Sequence, residues 1–272
     1  MKIGINIGCY PGVPLEEQIK LMKENGFESC FLGCESPVFD DIVKTIQESG
    51  IVIETLHAPF SKSRTEPVCD INDMWNEGES GDAMMARLVS CVEKAGKYNI
   101  PVIVVHLSSG RVPPMVNSIG NERFGRLMEI AKENNVTIAY ENQRMLGNIA
   151  HAFDYYQDAG FCWDIGHESC FTPGREYMPL FGKKLVALHV QDNNGAEHGD
   201  LHLIPYDGIV DFEKAARYIA ESGFEGSVML EVLKRQSNYY DDVSPEEYYK
   251  KSAAAALRLA ERIEFYRNEK AE

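Results

Sequence analysis

Apolar positions along the chain follow two alternating spacings. Short apolar runs, beginning with Lys2–Ile7, are each followed by a segment in which apolar residues recur every three or four positions, as at Leu15, Ile19 and Met22. The runs predict buried strands, and the wider spacing predicts amphipathic helices. We expect eight strands: Lys2–Ile7, Ser29–Cys34, Ile51–Leu56, Val102–Leu107, Val136–Asn142, Phe161–Ile165, Leu185–Val190 and Ser227–Val232.

The segments between these runs carry helix start and stop signals. Several of them end in a Glu/Asn/Gly-type stop directly before the next strand, which is typical of helix C-termini. Ser244 suits a helix N-cap, and Glu247 completes a capping box with it. We expect helices over Leu15–Asn25, from Ser36-Pro37 to near Gly50, over Asp82–Tyr98, up to near Asn135, over Ile149–Asp158, around Tyr177–Phe181, from Asp211 to Ser222, and from Ser244 onward.

Eight strands alternating with helices in 272 residues predict a single domain, residues 1–272, with a (β/α)8 TIM barrel fold. An open doubly wound sheet is the alternative, but a Gly-rich phosphate-binding sequence is missing after the first strand. Two polar stretches, Phe60–Gly81 and Ser108–Asn117, interrupt the alternation, and we expect them to be loops that set specificity.

The overall composition narrows the possible partners and compartment. The 42 acidic residues exceed the 27 basic ones and give a formal net charge of −15, which disfavours nonspecific binding of nucleic acid. No apolar run approaches the length of a membrane span, and the N-terminus lacks a secretory pattern. The seven cysteines include no C-x-x-C pair, which favours reduced thiols in a cytoplasmic protein. A homo-oligomer is compatible with the sequence.

One window, Leu188–Phe212, is unusually rich in groups that can bind a metal. It begins as a buried strand and ends at a helix start, which places its middle in a loop at one end of the barrel. Among the metal-capable residues within it are His189, Asp192, His198, Asp200 and His202.

The other strands carry matching residues at or close to their ends. In a TIM barrel the C-terminal ends of all strands meet at one face, where active sites lie. A carboxylate in an apolar strand is costly unless it is paired, and one shared divalent cation would stabilise several of them. The residues concerned are His57, His106, Glu141, Asp164, His189 and Glu231 on strands, with His167, Asp200 and His202 in loops.

Each of these residues also has a structural explanation when it is taken alone. A strand-end histidine such as His57 or His106 is often simply hydrogen-bonded. Glu231 could pair with Lys234 or Arg235. Asp164 and His167 could form a turn and helix cap, and Asp200 and His202 could belong to a solvated loop. Glu35, at the end of the second strand, fits an ion pair. Side chains that can bind a metal occur on six successive strands, and this regularity nevertheless favours a joint metal site.

At these residues the chain resembles the xylose-isomerase-like barrel superfamily, which includes sugar phosphate isomerases and epimerases, ketose epimerases, inosose dehydratases and the endonuclease IV type of AP endonuclease (family 2). The resemblance covers essentially the whole chain. It rests on Glu141 of YEN, on the D-x-G-H of Asp164 and His167, on His189 of LHVQD, on the D-x-H-L-x-P-x-x-G-x-x-D-F run from Asp200, and on Glu231 of LEV.

The resemblance implies a divalent-metal-dependent isomerase or epimerase of a small sugar, sugar phosphate or polyol. One cation (Mn²⁺, Zn²⁺, Mg²⁺ or Co²⁺) would be held by Glu141, Asp164, His189 and Glu231. Glu141 and Glu231 would move protons through a metal-stabilised enediolate. The expected substrate contacts are His167, His106, Asn142, Arg144 and His198.

Two other activities remain open. The same initial proton removal, followed by loss of water from the substrate, would make the protein an inosose-dehydratase-like lyase. The endonuclease IV branch is a multi-zinc phosphodiesterase, in which His57 and His106 join Glu141, and His167, Asp200 and His202 bind a further ion. The sequence matches every one of those residue types, but the DNA-inserting loops of that branch are not identifiable, and the net charge of −15 disfavours duplex DNA. A sugar-binding sensor is a third, non-enzymatic interpretation.

Two further sequence features bear on the substrate. Ketose 3-epimerases usually carry an Arg shortly after the seventh-strand histidine, where this chain has the run 192–195, Asp-Asn-Asn-Gly, which disfavours a simple ketose 3-epimerase. Basic residues near the predicted strand ends are candidate contacts for a phosphorylated substrate: Lys62, Arg64, Arg111, Arg144, Lys234 and Arg235.

Overall fold

The computed structural model of this protein describes residues 1–196 and 199–269. Eight strands pair in parallel in the order β7-β6-β5-β4-β3-β2-β1-β8. They are β1 (Ile3–Asn6), β2 (Ser29–Gly33), β3 (Val52–His57), β4 (Val102–Val105), β5 (Thr137–Glu141), β6 (Gly160–Asp164), β7 (Leu185–His189) and β8 (Val228–Leu230).

The sheet closes on itself just beyond the end of β7. The Val190 N–H donates to the carbonyl of Met229 at 2.9 Å, and the Glu231 N–H donates to the carbonyl of Val190 at 3.0 Å. Hydrogen bonds of this kind join the last two edges of an open sheet, so no strand edge remains free there. The (β/α)8 TIM barrel expected from the sequence is confirmed.

Helices cover the outside of the barrel. They are α1 (Leu15–Glu24), α2 (Phe39–Glu48), α3 (Glu79–Lys97), α4 (Ser118–Glu133), α5 (Leu146–Tyr155), α6 (Ile165–Phe171), α7 (Met178–Phe181), α8 (Phe212–Ser222) and α9 (Pro245–Glu269). Short 3₁₀ turns lie at Ile71–Trp75, Gly182–Lys184 and Lys234–Gln236. Within the described ranges, no helix is long and apolar enough to cross a membrane.

The predicted helix starts agree with the structure to within about three residues, and one short helix was not predicted. The Asp211 carboxylate accepts from the Lys214 N–H at 3.0 Å and the Ser244 hydroxyl from the Glu247 N–H at 3.3 Å, as helix caps do. Ser36 does not cap α2, because the helix begins at Phe39 and the Ser36 hydroxyl accepts from Val38 instead. Helix α6, which follows β6 without a loop, was not expected from the sequence.

The polar insertion after β3 is packed onto the barrel rather than loose. Trp75, at the end of its 3₁₀ turn, is buried, and its indole N–H donates to the carbonyl of Leu107 at 2.6 Å. The indole lies against α4 so closely that a Cβ on Gly120 would come within 1.9 Å of it. The Asn117 side chain donates to the carbonyl of Trp75 at 2.8 Å and ties the two rim loops together.

The inside of the barrel is filled by small side chains from four neighbouring strands. These are Val104, Ala139, Cys162 and Ala187, and they form a cluster of their own, separate from the larger core between strands and helices. Successive side chains on a strand point to opposite faces. The residue two positions further along each of these strands therefore also faces the interior, at the C-terminal mouth of the barrel.

Candidate metal centre and cavity

Strand alternation brings four predicted ligands to the mouth of the barrel. Two positions beyond the small interior residues of β4, β5, β6 and β7 come His106, Glu141, Asp164 and His189, all of them buried. Asp164 and His189 are direct partners in the pairing of β6 with β7. The sequence pattern inside each strand thus sets which side chains meet here.

Glu141 lies at the centre of the cluster. One carboxylate oxygen, Oε1, is 3.0 Å from His189 Nδ1. The other, Oε2, is 2.6 Å from His106 Nε2 and 3.4 Å from His57 Nε2. Burial alone would raise the pKa of Glu141, but the charges of His106 and His189 outweigh it and hold that pKa well below its usual range. The carboxylate is therefore ionised.

Glu231, directly after β8, also approaches His189. Its Oε2 lies 3.3 Å from His189 Nδ1. Burial opposes ionisation of Glu231, but His189 and His202 lower its pKa to about 2. Lys234 pairs with Asp241 at 3.6 Å, and neither it nor Arg235 forms an ion pair with Glu231 in the described part of the chain.

Asp164 caps a helix, which is one of the two roles that the sequence left open, and it also lies among the other proposed ligands. Its Oδ1 accepts from the His167 N–H at 2.6 Å and caps α6, while Oδ2 lies 3.5 Å from His167 Nδ1. Burial, together with the carboxylates of Glu141 and Glu231, raises the pKa of Asp164 to about 8. Carboxylates crowded in this way need a compensating positive charge.

A second cluster lies beside the first and is formed by the D-x-G-H and D-x-H motifs. Asp200 Oδ2 is 3.5 Å from His167 Nε2 and 3.3 Å from His202 Nε2. Burial opposes a charge on either histidine, but the neighbouring carboxylates raise the pKa of His167 to about 10 and that of His202 to about 9. His202 also has a left-handed backbone, with φ of 48°, a conformation that is uncommon for a residue other than glycine.

Two glutamines that the sequence analysis missed connect these clusters. Gln143 Nε2 lies 3.2 Å from His106 Nε2 and 3.1 Å from His167 Nδ1. Gln191 Nε2 donates to Asp200 Oδ1 at 3.0 Å, and Gln191 is completely buried. Their positions, two residues after Glu141 and two after His189, are the only sequence signal that could have pointed to them.

Asn142 is placed beneath the site rather than on its surface. Its amide donates to the carbonyl of Asp164 at 2.8 Å, and its side-chain oxygen accepts from the Asp164 N–H at 2.8 Å. The residue is completely buried. The sequence predicts that Asn142 contacts the substrate. Its hydrogen bonds instead favour a role in positioning Asp164.

An open cavity of about 650 Å³ lies above the clusters. This volume suits a small-molecule ligand. Phe60 stacks on His106 with ring centroids 4.3 Å apart, and Phe171 stacks on His167 at 4.7 Å. Predicted site residues in its lining are His57, His106, Glu141, Arg144, His167, Asp200, His202 and Glu231. His198, the remaining predicted substrate contact, lies outside the described residues.

The donor set fits divalent cations. Carboxylate oxygens and imidazole nitrogens are the ligands that Zn²⁺ and Mn²⁺ take in proteins. Within the described residues, Glu141 Oε2 is buried and accepts no hydrogen bond of good geometry, although His106 Nε2 is close by. In residues 1–196 and 199–269, three groups have donor atoms within 4.8 Å of one another: His57, Glu141 and His189; Glu141, Asp164, His189 and Glu231; and His167, Asp200 and His202.

Asp192, inside the window rich in metal-capable residues, has a different role from its neighbours. Its buried carboxylate accepts hydrogen bonds from four backbone N–H groups of the loop that follows β7. The donors are Asn193 at 2.8 Å, Tyr206 at 3.0 Å, Gly208 at 2.9 Å and Val210 at 3.0 Å. Asp192 therefore folds the loop that carries Asp200 and His202.

Replacing Asp192 with alanine should destabilise the protein by about 3 kcal/mol or more, because several buried N–H donors lose their charged acceptor together. Urea unfolding followed by circular dichroism would measure the change. Asp211→Ala is the matched control, since that carboxylate caps α8 through the Lys214 N–H and its loss should cost only about 1 kcal/mol. Equal losses in the two variants would contradict the anchoring role of Asp192.

Glu35 follows the end of β2 but does not join the clusters. Its two carboxylate oxygens accept from the Arg87 guanidinium at 2.8 and 2.9 Å. The side chain is 53% exposed, and the pair lies outside the cavity. The ion-pair interpretation given to Glu35 from the sequence is confirmed.

Comparison with known proteins agrees with this fold. A family model described as a xylose isomerase-like TIM barrel matches residues 37–259. The uncharacterized protein y4fM of Sinorhizobium fredii is 32% identical over 233 residues, which are 78% of this chain and 71% of that protein.

Solved structures of sugar epimerases are similar in fold. A D-tagatose 3-epimerase-like protein matches with a TM-score of 0.72 and 19% identity, over 100% of both chains. D-Psicose 3-epimerase with D-tagatose, from Clostridium cellulolyticum H10, matches with a TM-score of 0.75 and 12% identity, over 97% of this chain and 99% of that one. At these identities the likeness establishes the barrel.

Proposed function

We propose, on the basis that this chain belongs to the xylose isomerase-like TIM barrel family, that it is a divalent-metal-dependent isomerase or epimerase of a small sugar, sugar phosphate or polyol. The similar structures that are named as sugar epimerases support this class of substrate. A cytoplasmic location is part of the proposal, because the seven cysteines are buried and unpaired, as suits a reducing compartment.

The observation that carries the proposal is the convergence of two carboxylates on one histidine. Glu141 from β5 and Glu231 from just beyond β8 lie 3.0 and 3.3 Å from His189 Nδ1, at the floor of a cavity of about 650 Å³. Two ionised carboxylates that reach one point from different strands are suited to move a proton from one side of a carbon to the other.

Glu141, Asp164, His189 and Glu231 are the proposed ligands of the cation. When bound, a divalent cation supplies Lewis acidity, which acidifies the C–H next to a substrate carbonyl. Asp164 is held by Asn142 and by the start of α6, so its carboxylate is fixed before any ligand arrives. His167 and His106 line the cavity and are proposed to orient substrate hydroxyls.

Glu231 is the better placed of the two to take the first proton. It lines the cavity and has 13% of its side chain exposed, whereas Glu141 has 1%. Its lowered pKa keeps it ionised and ready to accept the proton. Glu141 is also ionised, so it takes up a proton from solvent before it delivers one to the opposite side of the carbon; that delivery inverts the centre and gives an epimer, and Glu231 then releases its proton to solvent. Return of a proton to the adjacent carbon moves the carbonyl and gives an isomer.

The proposal is tested by proton exchange with solvent. Protein loaded with Mn²⁺, Co²⁺, Mg²⁺ or Zn²⁺ is incubated in D₂O with a panel of ketoses, aldoses, inososes and their phosphates, and carbon-bound deuterium is followed by NMR. We expect deuterium at a carbon next to the carbonyl of at least one substrate, together with a new epimer or isomer. An absence of exchange across the panel, with every cation tried, would refute the proposal. Exchange followed by loss of water would identify the dehydratase alternative.

A second candidate function is a multi-zinc phosphodiesterase. The observation in its favour is the pair of additional donor groups, with His57 and His106 beside Glu141, and with His167, Asp200 and His202 grouped around one carboxylate. Such sites neutralise phosphate charge and activate water. Cleavage of an abasic-site duplex or of bis(p-nitrophenyl) phosphate by zinc-loaded protein, without any deuterium exchange into sugars, would favour this function over the isomerase.

A further inference from the structure

We infer that the cavity wall holds an anion subsite built on Arg144, and that the substrate carries a phosphate or carboxylate group there. The inference rests on the proposed function and names the substrate class of the same site. Three features of the described residues carry it: the support under the Arg144 guanidinium, the absence of an acceptor for its buried nitrogen, and the further cations on the same wall.

The guanidinium of Arg144 is held in place by aromatic stacking. Its Cζ lies 3.6 Å from the centroid of the Phe171 ring, and Phe171 itself stacks on His167 with ring centroids 4.7 Å apart. The N–H groups of a guanidinium lie in its own plane, so a ring against its face consumes none of them. The stack therefore fixes Arg144 beside the ligand cluster and leaves its donors available.

One of those donors is buried without an acceptor. Arg144 Nε is the only guanidinium or ammonium nitrogen among the described residues that is shielded from solvent and forms no hydrogen bond. A buried donor of this kind is costly unless something binds it. Burial also lowers the pKa of Arg144, because the surrounding groups do not fully compensate the loss of water around its positive charge.

The described carboxylate that attracts Arg144 is already occupied. Asp200 attracts Arg144 electrostatically, but the Asp200 carboxylate is shared between His167, His202 and Gln191. Throughout residues 1–196 and 199–269, no carboxylate lies within 4.0 Å of the Arg144 guanidinium. Because Nε is shielded from solvent, we expect an anionic group of the substrate to bind the two terminal guanidinium nitrogens, which form no hydrogen bond within the described residues and are not shielded in this way.

Two more cations line the same cavity. Lys62, from the insertion after β3, and Arg235, after β8, are exposed in its wall, and neither has an ion pair or hydrogen bond from its side chain in the described ranges. In a chain with a net charge of −15, positive groups at the mouth of a cavity favour the entry of an anionic ligand. Arg64 and Lys234, the other basic candidates beside them in sequence, are not part of the lining.

The test compares neutral and anionic forms of one sugar. For each sugar turned over, kcat and KM are measured for the neutral form, the terminal phosphate ester and the matching carboxylate form. We expect the wild-type protein to prefer one anionic form, and Arg144→Gln to raise KM for that form about 10- to 150-fold, a larger rise than it causes for the neutral sugar. Arg144→Lys, which keeps the charge but loses the fork of donors, should recover only part of the loss. Preference for the phosphate or for the carboxylate form identifies the anion.

Arg64→Gln is the matched control, because it removes the same charge from an exposed rim residue outside the cavity. Calorimetric titration of the cation-loaded protein with inorganic phosphate gives a measure that does not depend on turnover. Phosphate binding that weakens in Arg144→Gln but not in Arg64→Gln supports the subsite, even when no sugar reacts and the proposed function fails. Equal phosphate affinity in wild type and Arg144→Gln, with KM for anionic substrates unchanged, overturns the subsite and leaves the proposed function standing.

Discussion

Replacement of Glu231 by glutamine is expected to lower kcat by about 10²- to 10⁴-fold, the contribution of a well-placed general base. Glutamine keeps the size and most contacts of the side chain but cannot accept the proton. Glu141→Gln should have a comparable effect on epimerisation. Both variants are assayed by NMR in D₂O, so that exchange of the substrate C–H and formation of product are followed together.

The matched control for this prediction is Glu35→Gln. Glu35 also follows a strand end, but it pairs with Arg87 outside the cavity, so its replacement should leave kcat within about twofold of wild type. Near-normal turnover in either Glu141→Gln or Glu231→Gln, with the bound cation retained, would contradict the two-carboxylate scheme. Retained C–H exchange but lost product in one variant would assign that residue to proton return.

Removal of the bound cation is expected to have the second large effect. Chelation should abolish turnover and should lower the free energy of unfolding by about 2.7 to 4.1 kcal/mol, relative to protein in free cation at 100 to 1,000 times its Kd. The physical reason is that a cation held as proposed would bind only the folded chain, where it would offset the crowding of Glu141, Asp164 and Glu231. Thermal unfolding with and without chelator, and with the cation restored, measures this change.

Metal analysis of two aspartate variants shows how many cations take part. Asp164→Asn should remove the cation of the Glu141 group, whereas Asp200→Asn should remove a cation only when the His167–His202 cluster also binds one. About one cation per wild-type chain, unaffected by Asp200→Asn, supports the isomerase. Two or three zinc ions per chain, with one lost in Asp200→Asn, would favour the multi-zinc phosphodiesterase and phosphate-ester substrates. Full activity and unchanged stability after complete chelation would refute the metal dependence.

Much of the fold and part of the candidate site follow from the sequence because strand alternation is local. A residue two positions after Ala139, Cys162 or Ala187 must face the barrel interior, whatever the rest of the chain does. Glu141, Asp164 and His189 therefore meet once the eight strands close. The number of strands and the helix stops before them were likewise evident from spacing alone.

Other parts of the site depend on contacts between residues that are far apart in sequence. The position of Gln143, two residues after Glu141, does not predict that it lies between His106 and His167, and nothing near Asn142 predicts that it binds the backbone of Asp164. For Glu35 the sequence predicts an ion pair but does not predict that its partner is Arg87, on a distant helix.

The sequence by itself determined that this chain forms a (β/α)8 barrel with carboxylates and histidines at the C-terminal ends of its strands, because period and residue type suffice for that. Only the tertiary structure decided that Arg144, among six basic candidates, has a buried nitrogen without an acceptor in the cavity wall, and that Asp192 anchors a loop instead of joining the ligands. The physical reason is that burial and pairing depend on neighbours supplied by distant segments, whereas alternation is a property of the strand alone.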